Sequence, residues 1–346
     1  MRSNAASSVN PIAAKEISML FVANRVFHQG QHTVPGRDVT FDLDDNNALQ
    51  SVFFCSRTDS PDLDAAGRPV YKEIGSTAFL NRLRASKAEQ ILFYIHGYSN
   101  LPEDDIFPRA TKLGKACVEA GLNIEIVPII WPCDNDSGII QDYYDDQVAA
   151  DASSTAFSRA LSKFMAWQEK SDDAPCLKRI NVLSHSMGNR VLRGALLDWA
   201  TSLSGRIPFV FRNIFMAAAD VVNETLQKDK DGVFICQSSR NVVVYYASDD
   251  LALRSSKIAN VRNNIASRRL GHTGPEDMAG VPDNVFSIDC DDVNTLYDMP
   301  KGHSYFIDSQ RERGGAVFRH IVSCLRTGRV PADQARRLII EDDSFL

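Results

Sequence analysis

The segment "INVLSHSMGNRVL" (180–192) constrains the fold more than any other part of the chain. A run of branched apolar residues leads directly into Ser-His-Ser-Met-Gly, and an amphipathic helix pattern follows. A strand that turns into a helix within a few residues needs small side chains around the apex, because the backbone there is crowded. Ser184 and Gly188 stand two residues before and after Ser186. The segment is therefore a variant of the G-x-S-x-G nucleophile elbow, with serine in the first small position.

An ordinary strand-to-helix turn with a serine N-cap would also fit these five residues taken alone. The buried strand before them and the apolar helix face after them favour the elbow. The helix N-terminus would then direct its N–H groups and the positive end of its dipole at the apex, where negative charge develops during acyl transfer. We therefore interpret Ser186 as a candidate nucleophile.

A serine hydroxyl is a weak nucleophile near neutral pH, so this interpretation requires a general base. With a G-x-S-x-G elbow, the chain order is serine, acid, histidine, and three histidines follow Ser186. His303 lies in "MPKGHSYF", after the last predicted strand, whereas His272 lies in a loop-like segment and His320 in an amphipathic helix. We predict His303 as the base; the alternative is a loop histidine that caps the next helix.

Three aspartates are candidates for the acid that orients the base. Asp249 and Asp250 end a strand and open a helix in "VVVYYASDDLAL", where one of them could serve only as an N-cap. Asp220 closes the preceding strand in "FMAAAD". Sequence spacing leaves all three open.

Two backbone amides are candidates for stabilising an oxyanion. One belongs to Met187, the residue after the nucleophile, and the other to Tyr98 in "YIHGYSN", which follows an earlier strand. Gly97 would let the backbone approach the site closely, although a plain glycine turn is the alternative.

Several aromatic and histidine side chains close to these motifs could line a pocket, and core packing or loop capping would account for the tryptophan and the tyrosines equally well. The candidate pocket-lining residues are His96, Trp131, Tyr143, Tyr144 and His185.

The chain changes its rhythm near residue 90, where strands begin to alternate with helix-length amphipathic stretches. Alternation of this kind predicts an α/β fold with a mostly parallel central sheet flanked by helices on both faces. We expect a flexible segment over 1–15, a single domain over 16–330 and a C-terminal tail over 331–346. A helix is predicted over 102–121, and polar excursions are predicted at 132–147 and 260–284.

Composition excludes several classes of protein. The net charge of −6 offers no basic surface for phosphates, so a nucleic-acid partner is not expected. The seven cysteines lack both metal-site spacing and the density of a disulfide framework, and we interpret them as reduced thiols. No segment approaches the roughly 18 apolar residues that a membrane span needs. We therefore expect a cytoplasmic protein without a metal or cofactor.

The motifs together also resemble a known family. The segments "FYIHGYSN", "IIWP", "INVLSHSMGNRVL", "AAADVVN", "YYASDDLALRSS", "RRLG" and "GHSYF" are similar, in content and order over about 17–325, to a bacterial branch of the α/β-hydrolase superfamily. That branch is a domain-of-unknown-function group described as esterase- or lipase-like. The resemblance implies the α/β-hydrolase fold and places the acid of a D-x-A-L unit on Asp250. Serine in the first elbow position is a common departure in such proteins.

The functional expectation is a serine hydrolase that cleaves a small-molecule carboxylic ester through an acyl-enzyme intermediate. The polar excursions carry no extended apolar stripe, which favours acyl chains of short to medium length. An amidase, thioesterase or lipase could use the same machinery, because a triad determines chemistry at a carbonyl and says little about the leaving group. A catalytically silent binding protein on the same scaffold is the alternative from another class.

Overall fold

A twelve-stranded sheet forms the centre of the protein in the computed structural model, which describes residues 18–29, 36–133, 139–170, 176–253, 268–308 and 314–346. Its strands are β1 (Ser18–Arg25), β2 (Phe27–Gln29), β3 (Arg37–Phe41), β4 (Ala48–Thr58), β5 (Tyr71–Glu73), β6 (Gln90–Ile95), β7 (Ile124–Ile130), β8 (Arg179–His185), β9 (Phe211–Ala217), β10 (Ser239–Tyr246), β11 (Val285–Asp289) and β12 (Arg337–Ile339).

Helices connect and cover these strands. They are α1 (Gly75–Ala85), α2 (Phe107–Glu119), α3 (Ile139–Glu169), α4 (Gly188–Ser202), α5 (Val233–Gln237), α6 (Leu270–Thr273), α7 (Asn294–Tyr297) and α8 (Ala316–Thr327). No helix among the described residues, the 31-residue α3 included, has the length and apolar character required to cross a membrane.

The sheet order is β12-β11-β10-β9-β8-β6-β7-β1-β4-β5-β3-β2. Pairing is parallel from β12 to β1 and antiparallel from β1 to β2. The chain leaves β6 for β7 on one side and returns through α3 to β8 on the other. This reversal makes the carboxyl ends of β6 and β8 a topological switch point, where open α/β sheets bind their ligands.

Two apolar cores, one on each face of the sheet, confirm the predicted mostly parallel sheet with helices on both sides. Residues of α2 and α8, such as Leu113 and Ile321, are buried in one core. Residues of α1, α3 and α4, such as Leu80, Phe157 and Leu192, are buried in the other.

Several predicted boundaries change. The helix predicted over 102–121 begins with a π-helical turn, Pro102–Ile106, before α2. The excursion at 132–147 merges into α3 from Ile139, and the one at 260–284 contains α6. Residues 1–15, 134–138 and 260–267 of these predictions lie outside the described residues.

The prediction of a separate tail over 331–346 is wrong. β12 extends the sheet by pairing in parallel with β11, and Ile340 is fully buried. The Tyr297 hydroxyl also donates to Asp342, at 2.6 Å. A three-residue strand is too short to show a sequence period, so no local pattern indicates β12.

A ladder of buried amide side chains crosses four strands near their amino ends. Asn181 donates to Gln90, Asn213 donates to Asn181 at 2.8 Å, and Asn241 donates to Asn213 at 2.7 Å. Asn241 also reaches the carbonyl of Gly328. Because side chains on a strand alternate between faces, a slip by one residue would separate these amides. The ladder therefore specifies the register of β6, β8, β9 and β10.

We predict that Asn213→Ala lowers the free energy of unfolding by about 2–4 kcal/mol. The substitution leaves the Asn181 oxygen and an Asn241 N–H buried without their shared partner, and each such group costs about 1–3 kcal/mol. Urea unfolding followed by circular dichroism measures the change. Asn123→Ala, which removes one exposed amide bond to the Lys87 carbonyl, is the control. An effect of Asn213→Ala no larger than the control would contradict a register role for the ladder.

Candidate active site

A cleft of about 440 Å³ lies at the switch point and contains Ser186 and His303. Most of the residues that line it are polar or charged. The lining residues are Gly97, Tyr98, Ser99, Asn100, Asp105, Arg109, Asp142, His185, Ser186, Leu251, Ala252, Asp298, Lys301, His303 and Ser304.

Ser186 occupies the apex of a strained turn between β8 and α4. Its φ of 51° lies in the left-handed region, which a side-chain-bearing residue rarely adopts. The turn is held by backbone: the Ser186 N–H donates to the Ala217 carbonyl, and the Ser186 carbonyl accepts from the amides of Asn189 and Asp220. The Asn189 side chain adds donations to the Ser184 and Ser186 carbonyls. The turn between strand and helix thus has the geometry of a nucleophile elbow.

Two glycines allow the elbow to touch the end of β6. A Cβ at Gly188 would lie 2.5 Å from the His96 carbonyl oxygen, and one at Gly97 would lie 3.1 Å from the Cβ of Ser186. Real Cβ atoms essentially never approach a neighbour to 2.5 Å. Gly188 is therefore required by close packing, and a Cβ at Gly97 would need the His185 ring or Ser186 to shift by a few tenths of an ångström.

His303 is fixed through three of its four polar groups. Its N–H donates to Asp298 Oδ2 at 2.8 Å, its carbonyl accepts from His185 Nε2 at 3.2 Å, and its Nδ1 lies 2.6 Å from Asp250 Oδ2. The fourth group, Nε2, is buried and has no hydrogen-bond partner among the described residues. An Nδ1–H donated to Asp250 leaves the Nε2 lone pair available to accept a proton.

The three candidate acids have separate partners. Asp250 is fully buried, and its Oδ1 caps the helical turn that starts at residue 251 while Oδ2 contacts His303. Asp249 accepts a hydrogen bond from Asn294. Asp220 accepts from the Tyr143 hydroxyl at 2.7 Å and forms an ion pair with Arg269. Asp250 thus contacts the imidazole of His303 through one carboxylate oxygen and serves as an N-cap through the other.

The loop after β6 presents the Tyr98 amide beside the elbow. The ring of His96 contacts the Gly97 carbonyl through Nδ1 at 2.8 Å and the Trp131 N–H through Nε2 at 3.2 Å. These two contacts require the neutral tautomer that carries its hydrogen on Nδ1. Because the Gly97 C=O and the Tyr98 N–H belong to one planar trans peptide, they point in opposite directions. Holding the carbonyl against His96 therefore turns the Tyr98 N–H away from that ring.

The amides of Tyr98 and Met187 donate to no other described residue. Met187 precedes α4 as its N-cap, so its N–H adds to the positive end of the helix dipole. Further along the loop, Ser99 has a φ of 55° and donates its amide to Asp146 at 2.9 Å. The loop is therefore braced from behind, and two amides remain available.

The pKa values of three histidines near the cleft are shifted in different directions. Burial lowers the pKa of His96 to about 3. Burial also lowers the pKa of His185 well below its ordinary value, and the neighbouring His303 adds to this effect. Burial alone would lower the pKa of His303 too, but the charge and hydrogen bond of Asp250, together with the charges of Asp298 and Asp220, outweigh burial and raise that pKa.

The expected pocket-lining residues divide into two groups. His185 lines the cleft, whereas His96 and Trp131 are fully buried behind the loop, with their rings stacked at 5.0 Å. Tyr143 packs edge-on against Tyr98, and neither it nor Tyr144 is among the described lining residues. Of the five residues, His185 is among the described lining residues, whereas the rings of His96 and Trp131 follow strands and stack beneath the loop, and Tyr143 and Tyr144 lie on α3.

Several lining residues were not predicted from the sequence. Arg109 on α2, Lys301 and Asp298 carry no motif that would single them out among the charged residues of the chain. Asp298 had one available signal, since it lies in the turn that leads into the Gly-His pair containing His303.

Comparison with known proteins bears on the fold. No curated protein sequence matches this chain. Among solved structures, a lipase-esterase related protein from Clostridium acetobutylicum aligns at 11% sequence identity with a TM-score of 0.21, covering 59% of this chain and 74% of that one. Such a likeness is too weak to bear on function.

A family model, described as an alpha/beta hydrolase of unknown function (DUF900), matches residues 72–308. The match extends over more than half of the chain and includes β6, the elbow, Asp250 and His303. The chain therefore belongs to the DUF900 family of alpha/beta hydrolases.

Proposed function

We propose that this protein is a serine hydrolase that cleaves carboxylic esters through an acyl-enzyme intermediate. One observation carries the proposal: His303 is held by partners on three of its polar groups, with Nδ1 against Asp250, while its Nε2 has no partner among the described residues and lies in the cleft that contains Ser186. His185 in the same cleft also has a ring nitrogen without a described partner, Nδ1, but its other nitrogen contacts the His303 carbonyl instead of a carboxylate.

The proposed reaction begins when His303 Nε2 takes the proton of Ser186 Oγ and the oxygen attacks the ester carbonyl. The Tyr98 and Met187 amides stabilise the oxyanion that forms. As the tetrahedral intermediate collapses, the bond from carbon to the alcohol oxygen breaks and the imidazolium returns its proton to that oxygen. Water, activated by His303, then attacks the acyl-enzyme, and the carboxylic acid leaves Ser186.

Asp250 has two roles in this proposal. It keeps the hydrogen of His303 on Nδ1, which directs the lone pair of Nε2 at Ser186, and it stabilises the imidazolium that forms. Its own position is maintained by the amides of Ala252 and Leu253, at 2.9 and 3.0 Å. Ser186 and His303 supply the nucleophile and both proton transfers, so the reaction requires no metal or cofactor.

The walls of the cleft favour short to medium acyl chains. Leu251 and Ala252 are the aliphatic side chains among its described lining residues, and charged or hydrogen-bonding groups predominate elsewhere. Each buried methylene contributes about 0.8 kcal/mol only where apolar surface receives it.

All seven cysteines are free, which agrees with a reducing compartment such as the cytoplasm.

We predict that Ser186→Ala abolishes labelling by a fluorophosphonate probe and lowers kcat for p-nitrophenyl butyrate by on the order of 10⁶. Ser184→Ala is the matched control, because that hydroxyl is equally buried and makes no hydrogen bond in the described structure. Turnover of Ser186→Ala within tenfold of wild type would contradict the assignment. Folded wild-type protein that takes no label would instead support a silent binding scaffold.

We predict that Asp250→Asn lowers kcat by roughly 10⁴, since the amide favours the wrong imidazole tautomer. Asp249→Asn and Asp220→Asn remove a charge from neighbouring carboxylates that contact other residues, and their effects should be mild. Steady-state hydrolysis and thermal melting of all three variants provide the comparison. A severe loss in Asp220→Asn with a mild one in Asp250→Asn would move the acid to the end of β9.

The pH dependence follows from the raised pKa of His303. The imidazole must be neutral to accept the serine proton, so activity falls as pH drops through this pKa. We expect the acidic limb of kcat/KM to lie above pH of about 6.5, the ordinary histidine value. A limb at or below that pH, measured with an ester whose hydrolysis is limited by acylation, would show that Asp250 does not stabilise the imidazolium.

We predict that His96→Ala lowers kcat by about 10²–10³ with a smaller change in KM, because the Tyr98 amide loses its fixed direction. His320→Ala is the matched control: it removes another buried, neutral histidine with two hydrogen bonds, to Tyr245 and Pro331. Both variants should melt at lower temperature, whereas kcat should fall mainly in His96→Ala. Equal kcat losses in the two variants would reduce the role of His96 to general stability.

A further inference from the structure

Arg109 lies on the wall of the cleft with an incompletely used guanidinium. Its Nη1 donates to Asn100 Oδ1 at 2.9 Å and to the Tyr94 hydroxyl at 3.3 Å. Its Nε and Nη2 donate to no other described residue, and no described carboxylate forms an ion pair with it. Asp105 and Asp298 attract the guanidinium through space without accepting a hydrogen bond from it, and its planar fork matches a carboxylate in two-point contact.

Lys301 supplies a second cation to the same cleft. Its backbone carbonyl accepts from the Leu251 amide, while its ammonium forms no ion pair with a described residue. The residue is exposed, so the side chain stands where an entering molecule would meet it. A long, flexible lysine at the rim and an arginine held by Asn100 thus line the same cleft.

Two carboxylates nearby limit the charge of that anion. Asp105 accepts the Leu101 amide, and Asp298 accepts the amides of His303 and Ser304, all at 2.8 or 2.9 Å. They line the same cleft as the two cations, and a dianion such as phosphate would experience more repulsion than a carboxylate. Asp142 is a third carboxylate among the lining residues. It lies on α3 beside Tyr143, whose ring packs against Tyr98.

We infer that Arg109 and Lys301 bind a free carboxylate on the ester substrate, so that the natural substrate is a half-ester or another ester bearing an acid group. This inference rests on the proposed function for the identity of the reacting bond. It assigns Arg109 and Lys301 to substrate recognition, and it leaves the attack on the ester carbonyl to Ser186.

The test compares esters that differ only in one charge. Mono-p-nitrophenyl adipate is paired with p-nitrophenyl methyl adipate for the acyl side, and 4-acetoxybenzoate with its methyl ester for the alcohol side. The readout is the ratio of kcat/KM for the acid to that for the neutral ester within each pair. We expect wild type to prefer the acid by about tenfold in at least one pair, as one charge-assisted contact allows.

Variants then locate the preference. Arg109→Gln and Lys301→Gln should each bring the ratio towards one, and Arg109→Lys should retain part of it. Arg206→Gln is the matched control, since it removes one positive charge from an exposed residue after α4, at the opposite edge of the sheet. Because the ratio compares two substrates on one enzyme, general damage to the loop at Asn100 cancels. A wild-type ratio of one or less, or a ratio that survives both glutamine variants, would overturn the inference.

Failure of the proposed function gives a different result. If wild type is not labelled by a fluorophosphonate and hydrolyses no ester, Ser186 is not the nucleophile, and the carboxylate site is measured by calorimetry with monomethyl adipate. Binding that weakens in Arg109→Gln but not in Arg206→Gln would then support the site, and absence of binding to wild type would overturn it.

Discussion

Close contact between the end of β6 and the elbow is the constraint on which the candidate site depends. A side chain at Gly188 would collide with the His96 carbonyl, and one at Gly97 would crowd Ser186 and His185. With both positions occupied by glycine, the loop amide of Tyr98 and the helix amide of Met187 can face the same space as the serine.

The same residue type performs three different tasks around this contact, and the difference comes from surroundings. His96 has backbone partners on both nitrogens and no carboxylate beside it, so burial keeps it neutral. His185 donates to the His303 carbonyl, and burial lowers its pKa as well. His303 is also buried, yet the charge and hydrogen bond of Asp250, together with the charges of Asp298 and Asp220, raise its pKa. Two histidines with lowered pKa values and one with a raised pKa thus lie close together because Asp250 contacts the ring of His303.

Sequence reasoning reached the parts of this arrangement that carry local patterns. Short-range periodicity and small residues indicate the elbow, the strand ends and the alternation of strands and helices. For this reason β6, β8, α4 and a mostly parallel sheet could be predicted. Local sequence could not select one of the three candidate aspartates. Asp220, Asp249 and Asp250 all follow strands, and only their tertiary contacts distinguish them. The resemblance to a family favoured Asp250, because a sequence pattern shared by a family reflects contacts in the folded protein.

The remaining features depend on long-range packing that no local pattern reports. Arg109 reaches the cleft because α2 follows the loop that Asn100 belongs to, and β12 joins the sheet only because β11 offers it an edge. His96 and Trp131 resemble pocket residues in sequence, since both end strands with a ring. Their stacking beneath the loop is a consequence of how β6 and β7 pair.

The amide ladder has a mechanical consequence for the far end of the same strand. Asn181 and Ser186 are separated by five residues, or about 16 Å of extended chain. The ladder clamps β8 to β6 and β9 at one end, so the unfavourable dihedral at the other end cannot relax by sliding the strand. The strained backbone at Ser186 is therefore held in place by the side-chain hydrogen bonds at the other end of β8. The conformation of Ser186 thus depends in part on neutral side chains at the other end of β8.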